Sequence, residues 1–228
     1  MKILYEDKDQ IVIHKPAGIA TQTARLGEKD LVSEVKNHIS KEDGIANPYA
    51  GVINRLDQPV EGVVLFAKNA KAAAALSAQM QNGSMHKFYQ AVIFGHMDLP
   101  RETLTDYMEK DGRTNISRVA SSTSKDAKKA VLEYSVMATV GKMQLVEIQL
   151  LTGRHHQIRV QFSHRNHPLV GDTKYGTEES ISFSREVNAR VPALCAYKLI
   201  WNHPVTGKEM KISLVPENAV IQGMSNCL

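Results

Sequence analysis

Gly51-Val52-Ile53-Asn54-Arg55-Leu56-Asp57-Gln58-Pro59-Val60-Glu61-Gly62-Val63-Val64-Leu65-Phe66-Ala67-Lys68 joins a polar, turn-forming segment to an unbroken apolar run. The run from Val63 to Ala67, bounded by Gly62 and Lys68, reads as a buried strand. Pro59 lacks a backbone donor and Gly62 tolerates unusual dihedrals, so the residues between Asp57 and Gly62 form a fixed turn. Arg55 and Asp57 therefore lie on an irregular segment feeding a rigid core strand, where functional side chains are often presented. Taken alone, an Arg-x-Asp pair on a turn is more often a structural ion pair. The stretch fixes a strand and leaves its charges open.

Downstream, Thr152-Gly153-Arg154-His155-His156-Gln157-Ile158-Arg159-Val160-Gln161-Phe162 reads as a short helix with Ile158 and Phe162 on one face. Thr152 is its expected N-cap, and Arg159 projects from a different face. Between the two stretches, Ala70 to Gln81 is a helix ended by Asn82-Gly83, and Lys87 to Gly95 is an alternating strand. Tyr89 shares its strand face with Lys87, either as a half-buried core tyrosine or at the edge of a cleft. Thr103 to Ser122 is polar and reads as exposed strands or a flap. Val131 to Thr139 and Met143 to Leu151 make an antiparallel hairpin turned at Gly141.

At the start, Ile3 to Tyr5 and Gln10 to His14 are short strands, and Leu31 to Ile39 is an amphipathic helix with apolar residues four apart. At the end, Leu194 to Trp201 and Met210 to Val215 are closing strands, while Glu178 to Arg190 reads as an exposed polar excursion. Strands dominate and helices are inserted singly, which gives an α+β fold with a largely antiparallel sheet.

The 228 residues suffice for one well-buried domain, expected to span 1–228. Hydrophobic content of 43% and charged content of 23% describe a globular chain, not a disordered one. A net charge of +4 leans towards a polyanionic partner. No apolar run reaches membrane-spanning length, and two cysteines, Cys195 and Cys227, supply neither a disulfide framework nor a zinc quartet. A cytoplasmic setting without a membrane is the expectation.

The two stretches, taken with Val12-Ile13-His14-Lys15-Pro16-Ala17-Gly18, Lys87-Phe88-Tyr89, His167-Pro168, Gly171-Asp172 and His203-Pro204-Val205-Thr206-Gly207, resemble the RluA-type family of RNA pseudouridine synthases. The resemblance implies that family's fold: a long bent, mostly antiparallel sheet with flanking helices and an active cleft across its middle. It implies the catalytic part alone, without the small N-terminal RNA-binding domain of many members. It further implies a cofactor-free isomerisation of uridine in structured RNA, ribosomal or transfer, with no obligatory protein partner.

By resemblance Asp57 is the catalytic carboxylate, Arg159 its partner, and Tyr89 the ring that stacks on the extruded uracil. Arg55 is matched to the arginine that fills the space of the flipped nucleotide, Leu194 packs on the base, and Arg154 contacts RNA. Two departures stand out: Asn54 replaces the family's usual histidine, and Val60-Glu61 its Thr-Ser pair. Asn54 can make a hydrogen bond that a histidine would make, and Glu61 is expected to face solvent across the Pro59 turn. Because of them, a non-catalytic RNA-binding relative is the main alternative. A metallohydrolase built on His155, His156, His164, His167 and His203 is the lesser one, since His155 and His156 are expected to point apart.

Overall fold

The computed structural model describes residues 1–23 and 28–227. In chain order its elements are β1 (Lys2–Glu6), β2 (Gln10–Lys15), α1 (Leu31–Asp43), β3 (Gly51–Val52), β4 (Glu61–Ala67) and α2 (Ala70–Asn82). There follow β5 (His86–Phe94), β6 (Arg101–Asp111), β7 (Ile116–Val119), β8 (Lys128–Val140) and β9 (Met143–Leu150). The chain ends with α3 (Gln157–His164), α4 (Glu178–Glu186), β10 (Leu194–Asn202), β11 (Glu209–Ser213) and α5 (Ala219–Ser225). Two compact units result: Met1–Lys87 with Ala196–Val215, and Phe88–Cys195 with Pro216–Leu228. No described helix is long and apolar enough to cross a membrane.

In the first unit the strands run β1-β2-β4-β10, with β3 on β4 and β11 on β10. Strand β4 is buried along its whole length because both faces are covered, which is why its sequence runs apolar instead of alternating. On one face Leu65 and Ala67 meet Ala72 and Leu76 of α2, with Trp201 closing the cluster. Burying a leucine such as Leu76 contributes ~1.5–3 kcal/mol. The indole N–H of Trp201 donates to Gln10 Oε1 at 2.9 Å, so the largest core side chain leaves no polar atom unmet. Gly62, at φ 141°, lets β4 approach β10: a Cβ there would sit 2.5 Å from the Ala196 carbonyl oxygen.

In the second unit the order is β5-β9-β8-β6-β7. Its pairings are antiparallel, from Tyr89 opposite Ile148 to Lys110 opposite Ser117. The hairpin expected from 131–151 forms with Leu132, Tyr134, Val146 and Ile148 buried, and the flap expected from Thr103 to Ser122 is the β6–β7 hairpin. Helix α3 seats Phe162 edge-on against Tyr134, centroids 5.7 Å apart.

Three expectations need correction. Helix α1 continues past Ile39 to Asp43, started by an Asp30 carboxylate accepting from Ser33 N–H and stopped by Gly44 at φ 69°. Thr152 does not cap α3, because its hydroxyl is committed to Val131 and Gln157. The helix starts after His156, which is held at φ 55°. The 178–190 stretch is mostly exposed, as expected, but it is not irregular: α4 forms there, capped by Thr177, and its buried residues are Ser180 and Ser184. Ser184 Oγ donates to the Ser180 carbonyl and accepts from Gly171 N–H, so hydrogen bonds replace the apolar stripe that sequence reading needs. The short α5 was not anticipated either.

Candidate active site

Asp57 sits half-buried on the loop before β4, and nearly every residue around it is tied down within the first unit. The Asn54 amide donates to the Val63 carbonyl at 3.0 Å and accepts from Leu65 N–H at 2.8 Å. A side chain thus stands where a neighbouring strand would pair with β4. Thr21 Oγ1 donates to the Leu56 carbonyl at 3.0 Å and accepts from Leu56 N–H at 3.2 Å. Val60 N–H closes the turn onto the Asp57 carbonyl at 3.0 Å. Gly18 and Gln58 exchange two hydrogen bonds, fastening the Lys15–Gly18 loop to the Asp57 loop. Asn54→Ala should cost ~1–3 kcal/mol by leaving a buried carbonyl and N–H unmet, read as a lower urea midpoint. An unchanged midpoint would mean that water replaces the amide.

Under this loop lies Lys15, a fully buried lysine. Its ammonium donates to the carbonyls of Ile19 at 2.6 Å, Pro16 at 3.0 Å and Gln58 at 3.1 Å. Burial lowers its pKa from 10.5 to about 8, opposed by the nearby carboxylates of Asp57 and Glu61. Between those two values the unfolded chain holds the proton and the folded chain has released it. Stability contributed by this group must therefore rise with pH across that window. The stability of the wild type relative to Lys15→Met should increase between pH 8 and 10 in urea titrations. A flat difference would show that Lys15 titrates normally.

Glu61 does not face solvent. It is 5% exposed, with one carboxylate oxygen 3.9 Å from His14 Nε2. As the first residue of a strand covered on both faces, it has no route outward. Arg55, by contrast, is exposed on the same loop as Asp57.

In the second unit Tyr89 is 6% exposed on β5, on the side that also carries Ala91 and Ile93. Leu194, buried, begins β10, and exposed Arg154 donates from Nε to the Lys129 carbonyl at 2.9 Å. Arg159 lies on α3, five residues on from Arg154, and is buried. Sequence reading placed it on a face apart from the apolar one, yet residues 157–162 are buried throughout. Burial is tolerable because Asp172 grips the guanidinium at two points, Nε to Oδ2 at 2.7 Å and Nη2 to Oδ1 at 2.8 Å. The Tyr175 ring covers it with the centroid 5.0 Å away. Asp172 and Tyr175 were not recognised as holders of this arginine. The only sequence signal was the Gly171-Asp172 pair.

Among the described residues, His155, His156, His164, His167 and His203 do not gather into one metal-ligand set. His155 and His156, expected to diverge, stack with centroids 3.6 Å apart, and their Nδ1 atoms are engaged by Ser117 and Tyr175. Asp7, Asp9 and His203 lie close together, but His203 Nδ1 accepts two backbone N–H groups. Its Nε2 must then carry the proton it donates to Asp7 at 2.9 Å, leaving no ring lone pair for a metal.

Residues 9–164 match the family described as RNA pseudouridylate synthase. The chain is 33% identical to ribosomal large subunit pseudouridine synthase D of Vibrio cholerae, covering 96% of this chain and 69% of that one. It is 34% identical to the enzyme of the same name from Pseudomonas aeruginosa, over 92% of this chain and 67% of the relative. Among solved structures, human RNA pseudouridylate synthase domain containing 4 superposes with a TM-score of 0.78 over 96% of this chain and 90% of its own, at 21% identity. That likeness shows the fold, and the sequence matches show the kinship. The chain belongs to the RluA-type RNA pseudouridine synthases and is an isomerase that turns uridine in RNA into pseudouridine.

Proposed function

We propose that Asp57 is the carboxylate that acts on the target uridine, with Tyr89 and Arg159 completing the catalytic set. Arg55, Arg154 and Leu194 hold the displaced nucleotide and its RNA. The observation that carries this reading is the clamped Asp57 loop: Asn54, Leu56, Gln58 and Val60 are each fixed by hydrogen bonds while Asp57 stays half-buried. A reacting carboxylate gains most from such preorganisation, since its position need not be found again in each turnover.

In the reaction the bond between ribose C1′ and uracil N1 breaks, the base turns, and C1′ bonds to C5. The C5 proton leaves and N1 gains one, so the atoms balance without a cofactor. Asp57 attacks the nucleotide or takes the proton. The nucleotide must first leave the stack, and a buried tyrosine ring is suited to hold the base by area.

The substrate we favour is structured ribosomal RNA, because relatives from two bacteria are named for the large ribosomal subunit, with transfer RNA as the other structured class. We read residues 1–228 as one catalytic domain working in the cytoplasm, without a membrane, a cofactor or an obligatory protein partner. The family match supports the single domain, since it starts in the first unit and ends in the second. The test is chemical mapping of pseudouridine in cellular RNA from a strain lacking the gene and from the same strain complemented. Sites that vanish and return identify the substrate. An unchanged map would overturn the proposed substrate class.

A further inference from the structure

The stacked histidines belong to a face of the second unit on which the catalytic reading gives a role to Arg154 but none to the lysines around it. Ser117, whose hydroxyl meets His155 Nδ1 at 2.8 Å, pairs in register with Lys110 across the β6–β7 hairpin. Lys174 reaches the turn of that hairpin, its ammonium donating to the Asn115 carbonyl at 2.8 Å. Arg154 precedes His155 and is pinned to the Lys129 carbonyl. Lys110, Lys129, Arg154 and Lys174 are all exposed.

The acids nearby are already engaged. Glu109 is bridged by Arg118 and bonded by Ser124, Asp111 closes its own turn onto Arg113 and Thr114, and Asp172 holds Arg159. The surplus charge is felt locally. Burial, then Lys110, Lys174 and Arg159, push His155 down to about 4. Burial, then Arg159, His155, Lys174 and Lys110, take His156 to about 3. Both rings are neutral at pH 7, so the positive field comes from lysine and arginine alone.

We propose that this face, formed by the β6–β7 hairpin, the 152–156 turn and the segment after α3, seats the phosphodiester backbone of the substrate RNA. Lys110, Lys174 and Arg154 supply the charge, and the stacked imidazoles brace the turn that carries Arg154. Ser117 and Tyr175 fix both rings from the hairpin side and the α3 side, so the segments that carry the cations are tied to one another. Tyr175 also lies over Arg159, so the backbone seat and the arginine assigned to catalysis share one support. The inference rests on the RNA-modifying reading above.

The experiment uses the full chain, an unmodified transcript of large-subunit ribosomal RNA and fluorescence anisotropy over a potassium chloride series. Lys110→Glu/Lys174→Glu is compared with Lys71→Glu/Lys208→Glu, an equal charge change at exposed sites of the first unit. The first double variant should lose at least roughly tenfold in affinity at low salt, with a salt slope shallower by about 1 to 2, since each phosphate contact adds ~0.7–0.9. The second should stay within about threefold of wild type with an unchanged slope. Circular dichroism melts matching the wild type would show that the substitutions act on binding and not on folding. Equal losses in both variants, or none in the first, would overturn the proposal. Wild-type protein that neither binds nor isomerises RNA would overturn the functional reading itself, and the wild-type arm separates that failure from the selective one.

Discussion

Asp57→Asn should lower isomerisation at least roughly a thousandfold, about 4 kcal/mol in barrier, while RNA affinity stays within about threefold. Asparagine keeps the volume of the side chain but has no anionic oxygen to attack the nucleotide or accept its proton. The substitution leaves in place the hydrogen bonds that Asn54, Thr21, Lys15, Gln58 and the Asp57 carbonyl give the loop, so the loop should survive. Tritium release from uridine C5 reads the chemistry, and filter binding reads the affinity. Turnover near the wild-type rate would end the assignment of Asp57.

Asp172→Ala should have the largest effect on stability. Arg159 and Asp172 are 5% and 0% exposed at the side chain, so removing the carboxylate takes two charge-assisted hydrogen bonds from a guanidinium held away from water. Breaking one side of a buried pair costs ~3–5 kcal/mol. Asp172 also accepts from Lys174 N–H at 3.0 Å and Tyr175 N–H at 3.2 Å, so the turn that carries the Tyr175 ring would loosen as well. Urea unfolding should show the loss, with Asp172→Asn intermediate because it keeps the shape and an acceptor. A cost under about 1 kcal/mol would mean that Arg159 finds water or another anion when Asp172 is gone. Activity should fall in both variants, since the arginine assigned to catalysis is oriented by two bonds from this carboxylate.

The odd signature residues also have a physical account. Asn54 uses both ends of its amide on the backbone of β4, a task that needs one donor and one acceptor and that the sequence foresaw in outline. Glu61 went the other way. A solvent-facing position was the economical reading of a carboxylate beside a proline turn, but strand β4 begins at Glu61 and is covered on both faces. The carboxylate ends near His14 and helps to offset the desolvation of Lys15.

Local chemistry sufficed wherever one segment determines its own conformation. The apolar run at 63–67, the alanine-rich helix closed by Asn82-Gly83, and the alternation along 131–151 all form as read, because periodicity and capping act over a few residues. The order of motifs was enough to name the family; the roles it suggests for Asp57, Arg55, Tyr89, Arg154, Arg159 and Leu194 are proposals for the substitutions to test. Tertiary structure decided everything that depends on a partner distant in sequence. Lys15 is buried because carbonyls at 16, 19 and 58 converge on its ammonium, and Arg159 because Asp172 returns to it thirteen residues later. His155 and His156 stack because Ser117 and Tyr175 hold them from two sides, against the divergence that adjacent residues ordinarily show. Helix α4 escaped notice because hydrogen-bonded serines, not aliphatic side chains, face inward there. A pattern of residue types reports which groups prefer to leave water. Which polar groups may leave it together is set by the partners that the fold brings to them.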